Sequence, residues 1–402
     1  YVRGVRESGL AVCCKHFPGD GIEELDQHLV MGVNTMECDE WDSTFGHVYK
    51  EMIDSGIQSI MAGHIALPEY SRKLRPGIKD EDIMPATLAP ELITDLLRGK
   101  LGFNGLVLTD ASHMAGMTAA MPRSQQVPGA IAAGCDMFLF FNDIEEDFGY
   151  MMDGYRNGII TEERLTDALR RILGLKASLK LHEKKKKGTL IPEKEGLSVV
   201  GCAEHLAMAA EAAKKSITLV KDTQHNLPVT PKTHKRAYAF VISSPPISRK
   251  NQHDPVKQLV KEEMERFGYE SYYDLVLDDG ITKETELRSV IIGKVEEFKK
   301  KYDVVFVFIN MKGYAQANNV RLEWSIGHST EIPWYVKELP TIFISLNYTN
   351  HLLDVPMAKT FINAYAPTRE VIRQTIEKAA GEAAFEGTCN DNVFCGRWDT
   401  RL

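Results

Sequence analysis

No apolar run in the 402-residue chain approaches the roughly 18 residues that a membrane-spanning helix needs. Basic residues are in the minority. The 48 Lys and Arg stand against 56 Asp and Glu for a formal charge of -8, which argues against a nucleic-acid surface. Cysteine is sparse: the seven residues are odd in number and irregularly spaced, so they form no disulfide framework. Cys389 and Cys395 are near enough in sequence to bridge, but free thiols in a reducing, cytoplasmic compartment are the expectation. There is no Gly-x-Ser-x-Gly nucleophile elbow, and the Gly19-Asp20-Gly21 turn lacks the Lys-Ser/Thr pair of a phosphate loop. Neither His-x-His nor His-x-x-x-His spacing occurs near the histidine-rich loop, so no metal and no cofactor are expected. Residue 1 is Tyr and no signal peptide follows; Tyr1–Gly9 reads as the end of a helix running into a strand. The chain is therefore expected to begin in the middle of a domain.

What is present is an ordinary globular composition, 44% hydrophobic and 26% charged, enough for two or three domains. Apolar strand candidates at Leu10–Cys14, Ile57–Ala62, Gly105–Thr109 and Asp136–Phe141 alternate with helix-like segments near Trp41–Ser55, Ala89–Gly99, Gln126–Ala133 and Glu162–Leu175. Repeated strand-helix units imply a parallel sheet with helices packed on it. Four units are visible where a (β/α)8 barrel needs eight, so residues 1–180 read as half a barrel or a small open sheet. The basic run Lys184–Lys187, with Gly188, Pro192 and Gly196, marks a solvated linker over 181–210. A second alternation follows over 211–402. Its expected strands lie near Ser216–Val220, Ala237–Ser243, Val304–Ile309 and Thr341–Leu346, its helices near Pro255–Phe267, Thr285–Lys301 and Arg369–Ala380. This reads as an α/β three-layer sandwich.

The chemistry concentrates in Lys15–His28, where two histidines, a lysine and four carboxylates surround a Phe-Pro-Gly-x-Gly turn. In an extended segment residues two apart point the same way, so Asp26 is expected to orient and charge the His28 imidazole. The strand ending at Thr109 delivers Asp110 to its carboxyl end, where parallel α/β folds build active sites. Asp110 can equally be read as the N-cap of the next helix. His113, alone in a turn, reads as a solvated bystander. A carboxylate together with an independently activated acid/base suffices for double displacement at an acetal carbon: the carboxylate attacks while the second group protonates the leaving oxygen and later activates water.

Lys15-His16-Phe17-Pro18-Gly19-x-Gly21 followed by Asp26-x-His28 resembles the active-site loop of bacterial β-N-acetylglucosaminidases of glycoside hydrolase family 3. Leu97-Arg98 through Gly102-Phe103-x-Gly105, then Val107-x-Thr109-Asp110 and Met114, resembles that family's nucleophile segment. Ile60–His64, Ala133-Gly134-x-Asp136-Met137 and Ser216–Lys221 with Leu227-Pro228 extend the likeness across most of the chain. The resemblance implies a retaining, metal-free exo-hydrolase releasing terminal β-linked N-acetylglucosamine, with Asp110 as nucleophile, His28 as acid/base, Asp26 holding its ring, and Lys15 and His16 on sugar hydroxyls. It implies a saccharide or glycoconjugate substrate such as a peptidoglycan fragment or chitin oligomer. It also implies a companion chain or upstream segment carrying the first half of the barrel. Family members usually carry His where this chain has Asp20. A phosphorylase or transferase of the same chemistry, or a non-catalytic carbohydrate-binding module, are the alternatives.

Overall fold

The computed structural model describes residues 1–243, 255–273, 295–311, 322 and 333–402. Its contacts divide the chain into two units, the first formed by Tyr1–Glu193 and the second beginning at Lys194.

In the first unit, helix α1 (Val2–Glu7) precedes strand β1 (Cys13–Phe17). Two-residue strands β2 (Gly32–Val33) and β4 (Ile65–Ala66) pair with each other beside β3 (Ser59–Ala62). The longer strands β5 (Leu106–Ala111) and β6 (Met137–Leu139) complete a four-stranded parallel sheet in the order β1-β3-β5-β6. Helices fill the connections: α2 (Cys38–Trp41) and α3 (His47–Asp54) joined by a π-helical turn, α4 (Pro68–Leu74), the π-helix Glu91–Lys100, α5 (Ala115–Thr118), α6 (Arg123–Ala133), α7 (Ile144–Arg156) and α8 (Glu162–Ser178). Strand, helix, parallel strand is the arrangement the alternating pattern predicts, because a parallel partner can be reached only through a crossover.

Two expectations need correction. The first strand does not occupy Leu10–Cys14; Leu10 is exposed, and pairing starts only where β3 offers partners, with Cys13 opposite Ser59 and Phe17 opposite Ala62. Lys15, His16 and Phe17 therefore belong to the strand and not to the loop after it. Asp110 likewise lies within β5 and caps no helix; its Oδ1 accepts the backbone N–H of Ala111 at 2.7 Å, and the next helix starts at Ala115.

Phe17 anchors the end of β1. Its ring meets Trp41 and Tyr49 edge-on at 6.2 and 5.1 Å, and the indole N–H of Trp41 donates to the Pro18 carbonyl at 2.9 Å. Burying an aromatic of this size stabilises by about 1.5–3 kcal/mol, so the Phe-Pro pair holds the loop that follows it to the core. Gly19 has φ +126°, and a Cβ there would lie 2.2 Å from the Phe45 ring. Only glycine fits the turn.

The second unit opens with α10 (Ala203–Ser216), after a short helix α9 (Leu181–Lys186) that carries Lys184–Lys186. Strands β7 (Thr218–Asp222), β8 (Arg236–Ser243), β9 (Glu270–Tyr273), β10 (Val304–Asn310), β11 (Thr341–Ser345) and β12 (Thr360–Asn363) form a six-stranded sheet in the order β7-β12-β11-β10-β8-β9. Among the described residues only the β7–β12 pair of this sheet is antiparallel. Both faces are buried. Ala237, Ala239 and Val241 join one core with α11 (Pro255–Phe267) and α13 (Arg369–Ala379), the helix after α12 (Val295–Lys301). Tyr238, Phe240 and Ile242, which alternate with them, join a core on the other face. The expected helix Thr285–Lys301 is described only from Val295; the rest lies outside the described residues. Cys389 and Cys395 are free thiols, as are the other five cysteines.

Candidate active site

The sheet of the first unit delivers His16 from β1 and Asp110 from β5 to one place. His16 Nε2 lies 3.2 Å from Asp110 Oδ2, and both side chains are largely buried. The other ring nitrogen, Nδ1, lies 2.7 Å from Asp20 Oδ2. Asp20 also accepts the backbone N–H of His16 at 3.2 Å and, through Oδ1, the side-chain amide of Gln27 at 2.8 Å. Partial burial raises the Asp20 carboxyl, but the hydrogen bonds and charge of His16, with that of Gln27, outweigh it and hold the group below the usual carboxylate range.

Asp26 and His28 do pair, by a different geometry from the extended one expected. The segment is a turn. Asp26 Oδ1 accepts the backbone N–H of His28 at 2.8 Å and faces His28 Nδ1 at 2.7 Å, so one carboxylate oxygen fixes both the main chain and the ring. With Nδ1 committed to Asp26 as donor, Nε2 is the end of the ring left to exchange protons. The turn docks onto the residues that follow Asp110: Ala115 donates its backbone N–H to the His28 carbonyl, and Gly116 to that of Gln27, both at 3.1 Å.

Beneath these groups sits His64, fully buried at the end of β3. Its Nε2 donates to the Ala111 carbonyl at 3.0 Å and its Nδ1 meets the Thr87 hydroxyl at 2.8 Å, the neutral tautomer that both partners satisfy. Burial lowers its pKa, opposed by the Ala111 carbonyl and by the charge of Asp110. The same ring also feels His16 and His28, so all four groups share one electrostatic neighbourhood. Gly63 allows the close packing here: a Cβ would lie 2.9 Å from His16 Cβ and 3.1 Å from Gln27 Oε1.

Of the five candidates read from sequence, His16, Asp26, His28 and Asp110 are brought together; Lys15 is exposed on β1 and takes part in none of these contacts. Sequence reasoning missed Asp20 and Gln27 as connectors and His64 as a support. Gln27, buried between the paired residues, donates to Asp20 and accepts the backbone N–H of His64 at 2.7 Å. A buried amide inside a turn of ionisable groups was the available signal. Among the described residues no three or more His, Cys, Asp or Glu are grouped so as to hold a metal ion.

Residues 1–175 match the Glycosyl hydrolase family 3 N terminal domain. The whole chain is 42% identical to a "Beta-N-acetylglucosaminidase/beta-glucosidase" of Cellulomonas fimi, covering 69% of that protein. The chain belongs to glycosyl hydrolase family 3. A "Beta-hexosaminidase" of Methylobacillus flagellatus is 33% identical over 141 residues, which make up 35% of this chain and 37% of that protein. Among solved structures, a "Beta-glucoside phosphorylase BglX" is 36% identical with a TM-score of 0.89, over 99% of this chain and 69% of that one. A family 3 β-N-acetylglucosaminidase from Paenibacillus, 22% identical with a TM-score of 0.73, shares the fold.

Proposed function

We propose that the protein is a retaining glycoside hydrolase, a β-N-acetylhexosaminidase in type, that releases terminal β-linked N-acetylglucosamine. The observation that carries this reading is the docking of the Asp26–His28 turn onto the segment leaving Asp110. Asp110 attacks the anomeric carbon, forming the glycosyl ester and expelling the aglycone oxygen. His28 gives that oxygen its proton from Nε2, with Asp26 stabilising the imidazolium. The neutral ring then takes a proton from water, which attacks the same carbon and frees Asp110. Acid/base assistance of this kind contributes roughly 10²–10⁴-fold. Lys15 and His16 line the sugar subsite.

The domain reading is a catalytic unit over 1–180, a linker over 181–210 and a sandwich domain over 211–402. Outer strands β1 and β6 each pair on one side only among the described residues, and Phe140, Phe141, Ile144 and Phe148 beside β6 are exposed. Open edges and apolar surface support further strands closing a (β/α)8 barrel, supplied by the same polypeptide or by a companion chain.

The assay is hydrolysis of an aryl β-N-acetylglucosaminide by the full-length protein, whose rate Asp110→Asn should lower by roughly 10⁴-fold or more. Unchanged turnover in Asp110→Asn removes the assignment. Phosphorolysis is a second reading, supported by the 36% identity to a β-glucoside phosphorylase and by a histidine acid/base, which carries no negative charge to repel phosphate once its proton is given up. Accumulation of a sugar 1-phosphate when phosphate is added distinguishes the two.

A further inference from the structure

We infer that Asp20 is a positioning residue for the nucleophile: it holds His16 as a double donor against Asp110 and, through Gln27, ties that arrangement to the turn carrying Asp26 and His28. The inference rests on the reading of Asp110 and His28 given above, and adds to it a residue with no assigned part in the chemistry.

The geometry dictates the protonation pattern. His16 faces a carboxylate oxygen with each ring nitrogen, Asp20 at 2.7 Å and Asp110 at 3.2 Å. An ionised carboxylate only accepts, so a ring nitrogen facing one can only donate, and the ring is held as a donor on both sides. Besides these two, His16 faces His64, which burial keeps neutral and which therefore supplies no competing charge. A donor at 3.2 Å from Asp110 Oδ2, with the Ala111 N–H on Oδ1, fixes the plane of the carboxylate. It also stabilises the negative charge that returns to Asp110 when the glycosyl ester is broken. The partners of the Asp20 carboxylate are His16 and Gln27, not Asp110. Its part is to keep the proton and the orientation of the ring that does, as a carboxylate orients the histidine of a catalytic triad.

The second arm of Asp20 matters as much. Oδ1 accepts from Gln27, whose carbonyl oxygen in turn accepts the backbone N–H of His64. Gln27 lies between Asp26 and His28, so one carboxylate links the ring beside the nucleophile to the backbone beside the acid/base.

The test compares Asp20→Asn and Asp20→Ala with Glu24→Gln, an exposed carboxylate of the same loop, in full-length protein matched by melting temperature. In a spectrum of ring-¹⁵N-labelled histidine, wild-type protein should show a far-downfield His16 Nδ1 proton, lost in Asp20→Ala and kept in Glu24→Gln. With an aryl β-N-acetylglucosaminide, Asp20→Asn should lower kcat about 10–100-fold with KM little changed, the range seen when a partner that orients a metal-bound imidazole is removed. The alkaline limb of its kcat profile should also move to lower pH, which loss of packing alone does not produce. Retention of the His16 resonance in Asp20→Ala, or a kcat and alkaline limb in Asp20→Asn equal to wild type, overturns the inference. If the wild-type protein turns over no glycoside, the hydrolase reading has failed, and the resonance alone still decides the role of Asp20.

Discussion

His64 shows what a single buried side chain can impose on a site it does not enter. It is fully buried, donates to the carbonyl next to Asp110, and has its pKa lowered by burial. In the unfolded chain a histidine takes up a proton near its ordinary value of about 6.5, whereas the folded protein resists doing so. The unfolded state therefore binds more protons as the pH falls below that value, and stability present above it is lost. We expect the thermal stability of the protein to fall from pH 7 to pH 5, with a shallower fall in His64→Gln, measured by calorimetry across that range; equal slopes would show that another group carries the dependence. At this scale the sequence exposed the residue types and concealed the contacts. Asp26 and His28 were legible as a pair because they are two apart, yet the turn that joins them depends on Ala115 and Gly116, almost ninety residues downstream. Asp20 stood out as a departure from the family pattern, but its bond to His16 follows from the tight turn at Gly19, which no periodicity announces.

Between elements, one buried carboxylate and three guanidiniums form a shared joint. Asp136, at the start of β6, accepts from Arg98 at 2.7 Å and from the Val107 N–H at 2.9 Å with one oxygen. With the other it meets Arg164 at 2.5 Å and Arg171 at 3.5 Å. The cluster joins the π-helix Glu91–Lys100, β5, β6 and α8, and the Nε of each arginine is buried without a hydrogen-bond partner among the described residues. Burial pulls the Arg98 guanidinium down, and Asp136 supplies the opposing charge. Replacing Asp136 by Asn strands buried cations and should cost about 3–5 kcal/mol, read as a lower midpoint in denaturant; a loss below 1 kcal/mol would mean that Asp167, which also pairs with Arg164 and Arg171, suffices alone. The elements themselves were largely readable, since β5, α6 and α8 carry clear apolar periods. The two-residue strands β2 and β4 are too short to show a period of two, and the start of β1 is set by where Ser59 can pair. These are tertiary decisions, made by partners remote in sequence.

At the scale of the molecule, each unit encloses its own core: Phe17, Trp41, Leu92 and Val107 in the first, Phe306, Phe308, Ile344 and Ile362 on one face of the second sheet, with Phe343 and Phe361 on the other. The alternation of strands and helices predicted two such bodies. Their strand orders were not predictable from it, because β12 returns to lie between β11 and β7, and only the folded sheet shows which edge accepts it. Units with separate cores unfold as separate cooperative transitions when little binds one to the other's stability. The Asp136 cluster lies wholly within Tyr1–Glu193, so its loss offers a marker for one of them. We expect calorimetry of the protein to resolve two transitions, and Asp136→Asn to lower one midpoint while leaving the other in place. A substitution in the second sheet, Phe306→Ala, should do the reverse, by about 3–5 kcal/mol for a buried aromatic emptied to a methyl group. If both variants shift a single common transition by amounts in proportion to their stability losses, the two cores fold as one cooperative body, and the division seen in their packing does not extend to their energetics.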